Sequence, residues 1–280
     1  MRSAIIASSH TPMQYEMRIT NFIVLLALAA VTGTGYARTD TPWDGLSLGV
    51  NAGEASSSTC NSWALNGATL DASIASEFYN RDCSKSSALV GGLQIGDNFQ
   101  FKRLLLGIGA DVDYWSAKDV NQSLKYPGAV PPSGTYDFSG KLSPSGFAVI
   151  GPRIGYAGDT WLPYLRAGAI VTAGSHNSTF YYTAAGATKP IASFSGGKDF
   201  STSGWVAGGG FELGLNGAWS ITAEYLHANL GKGSNTAATC NGLVAACAAF
   251  SGISFDNTHE GFSSNIFRIG INYWFGYWQQ

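Results

Sequence analysis

Charge is scarce in this sequence. Asp, Glu, Lys and Arg make up 12% of its 280 residues, about half of the roughly 25% usual for soluble domains. The formal net charge is -2 and no cluster of Lys and Arg occurs, so the electrostatic footprint of a nucleic-acid-binding protein is missing. Long apolar runs are missing as well. The run that begins at Phe22 is about ten residues, short of the roughly 20 that a membrane-spanning helix needs. Past residue 40 no segment sustains helical periodicity. Low charge would suit a disordered chain only if aromatics were few, and here they are 13%, beside 36 glycines.

The first 37 residues carry an export signal. In "MRITNFIVLLALAAVTGTGYARTD", Arg18 precedes the apolar run, and Gly35-Tyr36-Ala37 offers the small-residue exit of a secretory signal peptide, with cleavage expected after Ala37. Residues 1–16 form an unusual prefix, which points to Met17 as the start of translation. Export brings the chain to an oxidising compartment, where Cys60, Cys83, Cys240 and Cys247 are expected to form disulfides. Four cysteines allow three connectivities; nearest-neighbour pairing, Cys60–Cys83 and Cys240–Cys247, staples two polar segments. With no Cys-x-x-Cys and no nearby histidine pair, no metal site is expected.

Eight stretches of period-two alternation follow, at about 43–52, 86–99, 103–116, 145–157, 160–174, 202–215, 219–230 and 264–275. Each is near, or a little above, the roughly 9–11 residues with which a tilted strand crosses a bilayer. The connections between them alternate. Those at about 53–85, 117–144, 175–201 and 231–263 are long, polar and rich in Ser, Gly, Thr and Asn; those near 97–103, 157–160 and 215–219 are tight. That rhythm predicts a single domain over 38–280, an all-β, eight-stranded, antiparallel up-and-down transmembrane barrel with long external loops and tight periplasmic turns.

Parity assigns the faces. A three-residue loop at Asn216-Gly217-Ala218 pairs Leu213 with Ile221 and Phe211 with Ala223 on one side, and Glu212 with Thr222 and Gly210 with Glu224 on the other. A one-residue slip would scatter both sets. A two-residue turn at Gly158-Asp159 sets Tyr156 opposite Trp161 and Pro152 opposite Leu165, leaving Arg153 and Arg166 on the other face as diagonal neighbours. In "LLLGIGADVDYW" Leu104, Leu106, Ile108, Val112 and Tyr114 share one face, and Asp111 and Asp113 the other; in "NIFRIGINYWF" Arg268 alternates with aromatic and aliphatic residues. Asp111, Asp113, Glu212, Glu224, Arg153, Arg166 and Arg268 therefore converge on one surface among small residues. A soluble barrel would carry many more charges, on its outside. In a narrow membrane barrel this surface is the lumen, which side chains fill, and buried charges there must pair. Trp43, Trp115, Trp161, Trp219, Tyr156, Tyr225, Tyr273 and Trp274 fall toward strand ends, as an aromatic girdle does.

The strand sequences "WDGLSLGVNAG", "LLLGIGADVD", "PRIGYAGDTWLPYLRAGAIV", "GWVAGGGFELGLNGAWSITAEYLHANLG" and "FRIGINYWF" resemble the small outer-membrane barrels of alphaproteobacteria, the opacity-like surface proteins of the "porin family". The resemblance runs from Trp43 to Phe275, loops excepted. It implies a barrel in the cell outer membrane with surface-exposed loops and no common catalytic residue. Three positions depart from the pattern: "GYWQQ" follows Phe275, where family chains end on an aromatic; Pro152 stands in mid-strand, where it removes a ladder donor and implies a bulge or an edge; and His227 replaces an aromatic.

Enzyme chemistry finds little purchase. A hydrolase needs nucleophile, base and orienting group in reach of one another, but two residues beyond His227 stands Asn229, not a serine, and His176 and His259 fall in loops. Asp111 and Asp113 have a simpler role beside the arginines. The glycine runs do not join a strand to a helix, so no phosphate loop is read from them. The expectation is a non-enzymatic protein without cofactor or metal, in contact with outer-membrane lipid, meeting an unknown extracellular partner through its loops and no nucleic acid. Its expected role is structural and surface-interactive, in envelope integrity, adhesion or as a surface antigen. A small passive channel is the alternative, and a lipid-modifying barrel enzyme a third reading.

Overall fold

The computed structural model describes residues 42–67, 80–116, 120–128, 134–215, 218–231, 233–237, 239–242 and 253–275. Among the described residues are eleven strands: β1 (Gly45–Gly67), β2 (Asn80–Phe101), β3 (Leu104–Trp115), β4 (Val120–Gly128), β5 (Gly134–Tyr156), β6 (Trp161–Ala184), β7 (Ala192–Gly214), β8 (Trp219–Leu230), β9 (Gly233–Ala237), β10 (Thr239–Gly242) and β11 (Ile253–Trp274). Eight of them close a ring in the order β1-β2-β3-β5-β6-β7-β8-β11, with β11 pairing back onto β1, all antiparallel. Closure removes the sheet edges that hydrocarbon would leave unbonded. The three short strands lie at the long-strand end, β4 on β5, β9 on β11 and β10 on β7.

The outer face is apolar and bare. Leu89, Leu93, Leu165 and Ile108 expose 70%, 62%, 68% and 53% of their surface, which is the inverse of a water-soluble barrel. Stacked on this face near the tight turns are Tyr156 on Trp161 and Trp161 on Phe211, with Trp219 edge-on to Tyr273. The inner face is layered. Trp43, Leu105, Ala157, Leu162, Tyr164 and Trp274 fill the tight-turn end. The charged residues occupy the middle. Above them Trp115 touches Phe147 and Phe262 edge-on, at 5.5 and 5.4 Å, within a cluster that includes Val90, Ile170, Val206, Leu226 and Ile266.

The hairpin β7–β8 has the register that a three-residue loop demands: Leu213 opposite Ile221, Glu212 opposite Thr222, Gly210 opposite Glu224. The hairpin β5–β6 differs from expectation by two residues. Ile154 faces Leu165, and Arg153 lies directly opposite Arg166 instead of diagonal to it. The turn closes with Gly158 N–H donating to Trp161 O, so Asp159 and Thr160 form its tip. The reason is packing: the Gly158 carbonyl accepts from Trp43 Nε1, and a Cβ on Gly158 would sit 2.5–2.7 Å from the Trp161 indole. Because the shift is by two, no side chain changes face. Pro152 neither bulges nor edges its strand. It faces outward opposite Ile108, and the β5–β6 ladder lapses at residues 151–152 but resumes in the same register; the shift in register comes instead between Pro144 and Gly146.

Two further expectations need correction. Trp43, Trp115 and Trp274 belong to the interior, at 0%, 3% and 1% exposure, because their parity matches that of the charged residues. And the polar segments at about 53–85, 117–144, 175–201 and 231–263 are strand over most of their described residues, so that His176 and His259 lie in β6 and β11. A strand of 24 residues such as β6, at about 3.3 Å per residue and tilted about 40°, rises roughly 60 Å, more than twice the roughly 25 Å apolar band of such barrels. Beyond the band the outer face meets water and the inner face, though still buried, is part polar, as at His176 and Ser178 beside Phe180 and Tyr182, so the hydrophobic alternation that marks a strand fades although the ladder continues. Cys60 and Cys83 are direct partners in the β1–β2 register and form a disulfide there. Cys240 lies in β10, while Cys247 and any bridge between them fall outside the described residues, as do the expected signal peptide and Met17.

Two outcomes follow outside the membrane. Reducing Cys60–Cys83, a crosslink spanning 23 residues, removes about 3 kcal/mol of local constraint; amide exchange should accelerate at Thr59 and Ser84 and stay unchanged at Leu48 and Leu93. Burial lowers the proton affinity of His176 from its ordinary 6.5. The opened strand end then binds more protons than the folded one as pH falls through about 6.5, so protection around Ser175–Asn177 is present above that pH and lost below it. His176→Gln should flatten that dependence in hydrogen exchange.

Candidate functional site

The mid-lumen layer is built from β3, β5, β6, β7, β8 and β11. Arg268 is its hub, 2% exposed. Its Nη1 lies 2.9 Å from Asp113 Oδ2 and its Nη2 2.9 Å from Asp111 Oδ2, while Nε and Nη2 donate to Glu224 Oε2 at 2.8 and 2.5 Å. Arg166 adds a second guanidinium: Nη2 is 2.7 Å from Asp111 Oδ2 and donates to Gly109 O, and Nη1 is 3.6 Å from Glu224 Oε1. Tyr164 donates its hydroxyl to Glu224 Oε1 at 3.0 Å. Its ring needs the bare backbone of Gly210, where a Cβ would come within 2.5 Å of the hydroxyl oxygen.

Nearer the tight turns is a second group. Glu212, fully buried, accepts at Oε1 from Ser220 Oγ at 2.5 Å, Asn272 Nδ2 at 3.0 Å and Trp274 Nε1 at 3.2 Å. Arg153 faces its other oxygen at 3.5 Å, donates from Nε to Asn98 Oδ1 at 2.7 Å, and lies over the rings of Tyr164 and Trp274. Gln94 donates to Asn272. Between the two groups is a cavity of about 30 Å³ lined by Ser47, Gln94, Asp111, Arg153, Arg166 and Glu224, among others, room for about two waters.

All seven charged residues singled out in the sequence therefore face the interior. Arg268, Arg166, Asp111, Asp113 and Glu224 form one connected network; Arg153 and Glu212 form the other. The polar partners Tyr164, Asn98, Ser220 and Asn272 are not singled out by the sequence, and Trp274 is singled out there only as a girdle aromatic. Their signal was parity alone, since each alternates in step with a charge on its own strand or on the strand beside it. The arrangement binds its own charges. Each carboxylate is engaged by a guanidinium, and among the described residues no group of three or more His, Cys, Asp or Glu could hold a metal ion.

A family model described as "Outer membrane protein beta-barrel domain" matches residues 23–275. No curated protein matches the chain. Among solved structures, the outer membrane protease OmpT from Escherichia coli is 9% identical, with 83% of this chain and 97% of that one covered at a TM-score of 0.39. OprG from Pseudomonas aeruginosa is 13% identical, with 84% and 99% covered at 0.33. Ail, the attachment invasion locus protein of Yersinia pestis, is 9% identical, with 80% and 99% covered at 0.24. Similarities this distant carry no activity across.

Removing a partner from a buried network strands the remaining charges. Arg268→Ala should destabilise the barrel by about 3–5 kcal/mol, and Arg153→Ala by about 1–2 kcal/mol, because its ion pair is longer and it is not the hub. Urea unfolding of the reconstituted variants checks both the sizes and their order.

Proposed function

The chain belongs to the outer membrane protein beta-barrel domain family and lies in the outer membrane, and on that footing we propose that it is a closed barrel of structural and surface-interacting type, of the opacity-like kind, without enzyme activity. The observation that carries this reading is the filling of its interior. An aromatic and aliphatic layer, a paired charged layer and a second apolar layer succeed one another along the axis, and the space between the two charged groups is about 30 Å³. A conduit needs a continuous wet path; here Trp115, Phe147 and Phe262 meet across the lumen.

The enzyme reading is disfavoured by the same geometry. Asp111 and Asp113 share Arg268 instead of facing an open site. His227, on the outer wall, is engaged by an amide, Asn265, and not by a serine hydroxyl. What the barrel offers to the outside is its wall beyond the membrane, rich in Ser, Thr and Gly, tied by the Cys60–Cys83 disulfide and suited to contact with an extracellular partner.

In planar bilayers the purified protein should give no stepwise conductance, and Trp115→Gly combined with Phe147→Gly should introduce it if those rings close the path. A steady conductance in the unaltered protein, lost on obstructing the lumen beside Arg153, would establish the channel reading in its place.

A further inference from the structure

A polar cluster lies on the outward wall toward the long-strand end. On the outer wall Tyr225 donates its hydroxyl to Asn265 Oδ1 at 2.8 Å, and His227 Nδ1 lies 2.9 Å from the same oxygen. The Trp205 ring is 5.7 Å from the imidazole. Trp205 and Tyr225 expose 52% and 48% of their surface. These residues sit on β7, β8 and β11, brought side by side by the pairings of His227 with Ala207 and Asn265.

The chemistry of the cluster is set by its central acceptor. An amide oxygen has no proton to give, so both Tyr225 and His227 donate to it, and Nδ1 of the imidazole carries a hydrogen. That leaves Nε2 of His227 and the two N–H groups of Asn265 for a ligand, beside two aromatic faces. Polar groups on a lipid-facing wall are costly in hydrocarbon, so this cluster belongs at head-group depth. The residues around it mark that depth. Below it on the same face come Ala223, Ile221, Phe267 and Ile269; above it come Asn229, Ser263, Ser203 and Ser58. Glu54 on β1 excepted, the wall changes from apolar to hydroxyl-bearing at this row, on the side where the strands outrun the membrane.

We propose that Trp205, Tyr225, His227 and Asn265 form a binding site for the saccharide head group of an outer-leaflet glycolipid, one sugar ring stacking on an indole or phenol face while its hydroxyls meet His227 Nε2 and the Asn265 amide. The charges in view favour a sugar over a phosphate. Glu54 lies one outward row below Asn265 on the adjacent strand, opposite Phe267, and Lys85 one row above, two strands away; together they leave the site without net positive charge. The ring faces of Trp and Tyr combine an apolar surface with a polar tip, as a carbohydrate does. This assignment depends on the outer-membrane placement alone and is independent of whether the lumen conducts.

Native mass spectrometry of the full chain, extracted in mild detergent and incubated with purified rough-type lipopolysaccharide, tests it. The unaltered protein should retain the lipid. Trp205→Leu, Asn265→Ala and His227→Phe should each lower retention about tenfold, and Leu165→Ala, an exposed lipid-facing change elsewhere on the wall, should not. All these side chains point outward, and heat-dependent electrophoretic mobility verifies that each variant is folded. Deacylated lipopolysaccharide saccharide should compete and inorganic phosphate should not. Equal retention by all variants, or competition by phosphate alone, would overturn the assignment.

Discussion

Arg268 is the point on which the interior depends. Its guanidinium, nearly without solvent, meets carboxylates from β3 and β8 at once and shares two of them with Arg166 of β6. In the ring, at least two strands, β1 and β2, separate β11 from β3, so the contact between them spans the lumen and does not merely reinforce a neighbouring ladder. A charge buried this deeply costs several kcal/mol in lost hydration. It persists because a planar fork satisfies several oxygens in one geometry, which a lysine could not do. Small residues opposite make room for it: a Cβ on Gly53 would lie 2.6 Å from Arg268 Cα.

From that constraint the rest of the lumen follows. A paired charged layer is stable only if water does not compete for it, and the apolar layers above and below provide that seclusion. Glu212 is held in the same way at the lower level, by neutral donors and by Arg153. The interior is a packed core turned to a different solvent, polar within and apolar toward lipid. Stability and closure are therefore the same property here. A barrel wide enough to conduct would have to give up the cross-lumen contacts that hold its charges.

The sequence showed most of this wherever a membrane imposes asymmetry. Alternation in "GFELG" and "SITAEYLHA" fixed which side Glu212 and Glu224 take, and the same parity set Arg153 and Arg268. It showed less at both ends. At the tight-turn end the alternation alone could not separate two registers two residues apart, and it was the fit of Gly158 under Trp161 and against Trp43 that chose between them. At the long end the strands run on through Ser- and Thr-rich segments whose outer face meets water and whose buried inner face is itself part polar, as at His176 and Ser178, so period two carries little hydrophobic contrast. The places of Trp43, Trp115 and Trp274 near strand ends suggest a girdle, whereas their parity sends them inward with Asp111, Asp113 and Arg268.

If the cross-lumen ion network acts as one unit, a double-mutant cycle on Arg268→Met and Asp111→Asn in reconstituted protein will show it. Unfolding free energies from urea titration should reveal a coupling of about 2 kcal/mol, the double variant losing far less than the sum of the single ones. Additivity to within about 0.5 kcal/mol would contradict the account, leaving Arg268 and Asp111 as separately solvated charges and the lumen open to water.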